Sequence, residues 1–319
     1  MADSVDLKSA MASAPKNWGR WGPDDELGTL NFLSKKEILR GMRAVKQGKV
    51  ISLGLLIGRK EGDIVFPGRS TTIHLMTQDE GSYKSGNLQP MPGGLKYADD
   101  AVFMYIQGTT QCDAIGHAWY GDKIYNGYSA DTTTGGLRKA SIVPIAEKGI
   151  VGRGVLLDIP RYKGVKHLAK GEAVTLDDML GAAEKQKVEI QKHDIVVVRT
   201  GYIAVFYNEG SDAYFKGGVN EPGITYSKKL VDWFHKKEIS AYAADTLSSE
   251  QTHSTTTNTM VPMHIFLMNY LGIPIQEILW LEELADDCAK DHQYDFLYAC
   301  APLKFVGATG SPINPLAIK

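Results

Sequence analysis

The chain has little cysteine: Cys112, Cys288 and Cys300 are its only three, and they are widely scattered. Such spacing makes neither a disulfide framework nor a zinc–thiolate motif, and a reducing cytoplasm is the expected setting. No apolar run comes near the roughly 20 residues that span a bilayer, so no membrane partner is expected. An excess of charge is also missing: 35 Lys and Arg stand against 37 Asp and Glu, a formal net charge of −2. A balance so close to neutral offers no long-range field to nucleic acid or an anionic membrane. Internal repeats, low-complexity tracts and charged linkers are absent as well, so residues 17–319 are expected to fold as one domain. Residues 1–16 carry charges throughout, without the apolar core of a signal peptide, and a flexible start is expected there.

Present instead are 43% apolar residues and 33 glycines, enough for a large core and many turns. Short runs rich in β-branched and apolar residues read as strands at 50–57, 101–107, 154–160, 194–200 and 239–245. Thr175 and Asp178 form a capping-box pattern before a helix, and Ser227 stands where it would cap another. Residues 261–272 read as a third helix, with Pro262 near its start and Gly272 at its end. Strands mixed with a few helices predict an α/β or α+β domain and leave the topology open.

The chemistry-bearing stretch is QGTTQCDAIGH, residues 107–117. On extended chain, residues of equal parity share a face, so Gln111 and Asp113 point the same way, with Gln107 joining them if the strand continues. Gly116 supplies a turn that brings in His117. An amide oxygen, a carboxylate and an imidazole so placed suit a cation or a positioned water; the same residues also serve as ordinary strand-end caps and turns.

This stretch resembles the cyclase-family motif H-x-G-T-H-x-D-x-x-x-H, the family of bacterial kynurenine formamidase and isatin hydrolase. Thr110, Asp113 and His117 match it, while Gln107 and Gln111 stand where the first two His usually stand. Residues 17–33, 244–250, 262–284 and 302–318 resemble other family segments in the same order, with His264 and Glu277 at the His and Glu that complete the site. The resemblance implies a swivelling β/β/α fold, a homodimer or homotetramer, and hydrolysis of an amide, lactam, lactone or N-formyl bond of a small-molecule substrate. It implies metal ligation by Gln107, Gln111, Asp113, His264 and Glu277, and proton transfer by His117. Amide oxygen in place of imidazole is a harder donor, which weakens a zinc-like site and tilts preference toward manganese or magnesium, with manganese or zinc the expected ion and magnesium a further candidate. A lyase or dehydratase on the same site, and a metal-poor binding protein, are the alternatives.

Glu277 stands inside an apolar run, where a carboxylate is costly unless paired or bound to metal. Trp18, Trp21 and Trp119 are candidates for a substrate pocket, since aromatic walls suit small planar ligands. Glu250 and His253 lie in a polar loop that reads more readily as structure than as site.

Overall fold

The structure, a computed structural model, describes residues 5–60 and 62–319. Nine strands form the central sheet: β1 Val50–Ser52, β2 Gln111–Asp113, β3 Ile150–Asp158, β4 Ile195–Arg199, β5 Ala241–Ala244, β6 Ile275–Glu277, β7 Asp295–Cys300, β8 Gly310–Pro312 and β9 Leu316–Ile318. Their spatial order is β1-β9-β7-β3-β4-β5-β6-β2-β8. Neighbours from β3 to β6 run parallel, and both flanks are antiparallel. β4, with the sequence IVVVR, is buried at all five positions, the continuous β-branched run that a doubly covered strand requires.

Helix α1 is Leu7–Ser13, capped by Asp6, and it buries Leu7 and Ala10. Part of the segment expected to be flexible thus has a fold and a place on the core, while residues 1–4 lie outside the described residues. Lys35–Met42 forms α2, which crosses β3 so closely that a Cβ on Gly41 would lie 2.7 Å from the Gly152 carbonyl carbon. α3, Leu176–Gln186, has the capping box read from Thr175 and Asp178. α4, Lys228–Lys237, has Ser227 as its cap. α5 is Glu282–Asp291.

Two readings need correction. Residues 261–272 are an α-helical turn, Pro262–His264, followed by a π-helix, Ile265–Tyr270, buried at all six positions. The run AVFMYIQ does not enter the central sheet. Asp99–Phe103 pairs with Ile73–Gln78 in a separate ribbon that is exposed at nearly every position. β-Branched and aromatic content identifies a strand but not what covers it.

The segment 17–29 is laid across the end of the π-helix as a strap. Asn17 N–H donates to the Tyr270 carbonyl (2.9 Å), and Thr29 N–H to that of Gly272 (2.9 Å). The Asn17 side chain donates to the Leu271 carbonyl (2.9 Å) and the Trp18 indole to that of Asn269 (2.7 Å). Where they cross, Gly28 has φ +58° and a Cβ there would lie 2.0 Å from the Gly272 oxygen. Cys112, Cys288 and Cys300 are all free and buried. No helix among the described residues is long and apolar enough to cross a membrane.

Candidate functional site

The antiparallel register of β2 against β6 puts Gln111 opposite Glu277, and the register against β8 puts Asp113 opposite Gly310. Gln111 and Asp113 share one face of β2, and Cys112 between them goes to the other, as strand alternation demands. His264 arrives from the helical turn behind β6. One donor atom each from Asp113, His264 and Glu277 lies within 4.8 Å of the others, and all three residues are buried.

The Gln111 amide nitrogen donates to Glu277 Oε2 at 2.7 Å. That bond leaves Gln111 Oε1, Glu277 Oε1 and both Asp113 carboxylate oxygens buried without a hydrogen-bond partner among the described residues. His264 Nε2 is 3.4 Å from Glu277 Oε1. Its Nδ1 lies 2.6 Å from Glu250 Oε1, and the Glu250 carboxylate also accepts the backbone N–H groups of Met263 and His264, each at 2.7 Å. Glu250 is the residue that sequence reasoning undervalued; its distance along the chain from His264 hid a contact that only folding creates.

Burial pushes the Glu277 carboxyl up, and the neighbouring Asp113 charge adds to this. Burial disfavours a charged His264, but the bond to Glu250 and the nearby Glu277 carboxylate outweigh it and raise its proton affinity well above the ordinary imidazole value. His117 moves the other way. Burial lowers its pKa against the pull of Asp113, and the charges of His264 and Arg69 lower it further. The His117 Nδ1 is buried and unpartnered among the described residues. The turn that brings it in closes with His117 N–H on the Ala114 carbonyl at 2.8 Å. Gly116 is required there, because a Cβ would lie 2.9 Å from the Ala140 oxygen.

Backbone strain gathers at the same place. Ser249, Val261 and Ile278 have φ of +52°, +41° and +59°, and they adjoin Glu250, the His264 turn and Glu277. Left-handed backbone at such residues costs on the order of 1–3 kcal/mol each and concentrates where geometry serves function.

Other candidates lie around or away from this cluster. Gln107 is buried, its amide nitrogen donating to Thr309 Oγ1 at 2.9 Å and bordering Asp113 across Gly310. Trp18 belongs to the strap, edge-on to Tyr270. Trp21 packs on Phe32, whose ring stacks on His193, a group that shares no residue with the cluster. Trp119 is exposed, two positions after His117, and His253 is exposed on a two-residue strand.

Fold and cluster together define an α/β protein with a buried centre of oxygen and nitrogen donors suited to a cation. Residues 29–251 match the family model described as putative cyclase, and the chain belongs to the cyclase family. The matched region holds Asp113, His117 and Glu250; His264 and Glu277 lie beyond it. A crystal structure described as a novel cyclase is 37% identical over 96% of this chain and 100% of its own, with a TM-score of 0.87. Isatin hydrolase A from Labrenzia aggregata, bound to benzyl benzoate, is 18% identical over 86% of this chain and 94% of its own, with a TM-score of 0.62. A structure described as a potential metal-dependent hydrolase with cyclase activity is 17% identical over 84% of this chain and 96% of its own, with a TM-score of 0.50. No curated protein gives a significant match.

Proposed function

We propose that this chain is a metal-dependent hydrolase that cleaves an amide, lactam, lactone or N-formyl bond of a small molecule. The observation that carries the reading is the set of four buried oxygens, on Gln111, Asp113 and Glu277, that have no hydrogen-bond partner among the described residues, in the cluster that includes His264. An unpaired buried acceptor costs about 1–3 kcal/mol, more when charged, and a cation among these oxygens relieves all four. Two carboxylates, an imidazole and an amide with no thiolate suit Mn2+ or Zn2+, with Mg2+ also accommodated.

Asp113, His264, Glu277 and the Gln111 oxygen would hold the ion, and Gln107 is the fifth ligand that the family motif offers. A divalent ion held there supplies Lewis acidity to a carbonyl and makes water a stronger acid. Gln111 fixes Glu277 through Oε2 so that Oε1 faces the centre. His117, kept neutral by burial, takes the proton from the attacking water and returns it to the leaving group. The likeness to isatin hydrolase supports this class of substrate, since isatin is a cyclic amide. Self-association as a homodimer or homotetramer belongs to the same reading, supported by the ribbon that leaves Ile73, Leu75, Met76, Val102 and Phe103 exposed; a monomeric mass by light scattering would remove that part.

The test is elemental analysis of protein purified without chelator, with melting curves in manganese, zinc and magnesium. An ion that binds only the fold stabilises it by about 2.7 kcal/mol at a hundredfold excess over its Kd. Absence of any bound ion together with unshifted melting removes the proposal. Product analysis on isatin, an N-formyl arylamine and a lactone then separates hydrolysis from elimination.

A further inference from the structure

We propose that Glu250 is the positioning residue of the centre: its buried carboxylate holds the His264 ring by Nδ1 and leaves Nε2 as the ligand atom. The inference rests on the metal-binding reading above. Glu250 is 2% exposed and makes the three short contacts already given, two to backbone N–H groups and one to the ring. The backbone contacts alone would describe a helix cap. The third does something different, because an ionised carboxylate only accepts hydrogen bonds, so Nδ1 must carry the proton. Nε2, once its own proton is released, is then the nitrogen open to a cation, and it is the one that faces Glu277.

Glu250 is itself fixed on several sides. The Ser248 hydroxyl donates to its carbonyl at 3.1 Å, and the preceding Ser249 donates through its hydroxyl to the Gln276 carbonyl at 3.0 Å, tying the segment to β6. Gly223 lies against its backbone so tightly that a Cβ there would sit 2.5 Å from the Glu250 carbonyl carbon. Left-handed Ser249 turns the chain into this position. A carboxylate held this rigidly sets both the tautomer and the ring plane of a ligand histidine, the arrangement by which outer carboxylates raise metal affinity.

The experiment compares the parent with Glu250→Gln and Glu250→Asp, all stripped of metal, by calorimetric titration with Mn2+ and Zn2+ and by nitrogen-resolved NMR of His264. Glu250→Gln is expected to fold, to bind either ion roughly 10–100-fold more weakly, and to lose the downfield, exchange-protected Nδ1–H signal that the parent shows. Glu250→Asp is expected to recover part of the affinity. Parent-like affinity in a folded Glu250→Gln protein overturns the inference while leaving the metal site standing. Should Glu250→Gln fail to fold, the parent decides alone: an unprotected Nδ1 in His264 overturns the proposal. A parent that binds no ion defeats the proposed function instead, and the Nδ1 signal still judges whether Glu250 sets the ring.

Discussion

His117 holds a buried ring nitrogen that has no hydrogen-bond partner among the described residues, and burial lowers its pKa against the pull of Asp113. Replacing it with alanine is expected to leave bound metal unchanged and to lower kcat by about 10²–10⁴-fold, the usual loss for a general base. Loss of metal in that variant would make His117 a ligand. Its pKa is lowered, so the neutral base persists to a pH below the ordinary 6.5, and the acid limb of kcat/KM should fall there; a limb centred above 6.5 contradicts the role. Gln111→Ala is expected to weaken metal binding, because it removes one oxygen donor and the amide that bonds Glu277 Oε2. Gln107→His with Gln111→His should tighten zinc relative to manganese, since imidazole suits zinc. Equal titrations of the parent, Gln107→Ala and Gln111→Ala would dismiss the glutamines as ligands. At this scale the sequence was informative. Parity alone paired Gln111 with Asp113, and the family resemblance picked out Glu277, with the cost of a carboxylate in an apolar run pointing the same way. Glu250 was not legible, because its partner follows a loop whose path local pattern does not describe.

Among elements, β8 presses on β2 at Gly310. A Cβ there would lie 2.8 Å from the Cys112 oxygen, 2.9 Å from Gln107 Nε2 and 3.3 Å from Asp113 Oδ1. Gly310→Ala must part the two strands or turn Asp113 aside. The expected result is a loss of about 1–3 kcal/mol, the scale of overpacking, with weaker metal binding; unchanged melting and titration would show that the strands yield freely. Helix starts were readable from Thr175 and Ser227 because a cap is a local bond. The π-helix was not, because a segment buried on every side carries no polar stripe to report its pitch. Nor could composition separate the exposed ribbon at Asp99–Phe103 from a core strand.

For the whole molecule, buried acids set the response to pH. Burial pushes Glu221 up to about 7 from 4.5, despite bonds from the Tyr214 hydroxyl and the Leu247 N–H. Glu277 and His264 are raised too. A raised folded pKa means that the folded state binds more protons than the unfolded one, so stability falls as pH rises through that window. The lowered His117 and His235 act in the opposite sense only up to 6.5. Metal-free protein is therefore expected to melt progressively lower from about pH 6.5 to pH 8, with a shallower slope in Glu221→Gln. A flat or rising curve contradicts this. Bound metal, which needs the same groups deprotonated, should stabilise more as pH rises.

The strap also has a consequence in time. Trp18 and the carbonyl it holds at Asn269 are 251 positions apart. During synthesis at roughly 5–20 residues per second, the strap waits on the order of ten seconds or more for the helix it will fasten. The nascent chain completes β2 through β5 while His264 and Glu277 are still untranslated. On the proposed reading, capture of an ion must wait until synthesis has passed Glu277, long after β2 has been made.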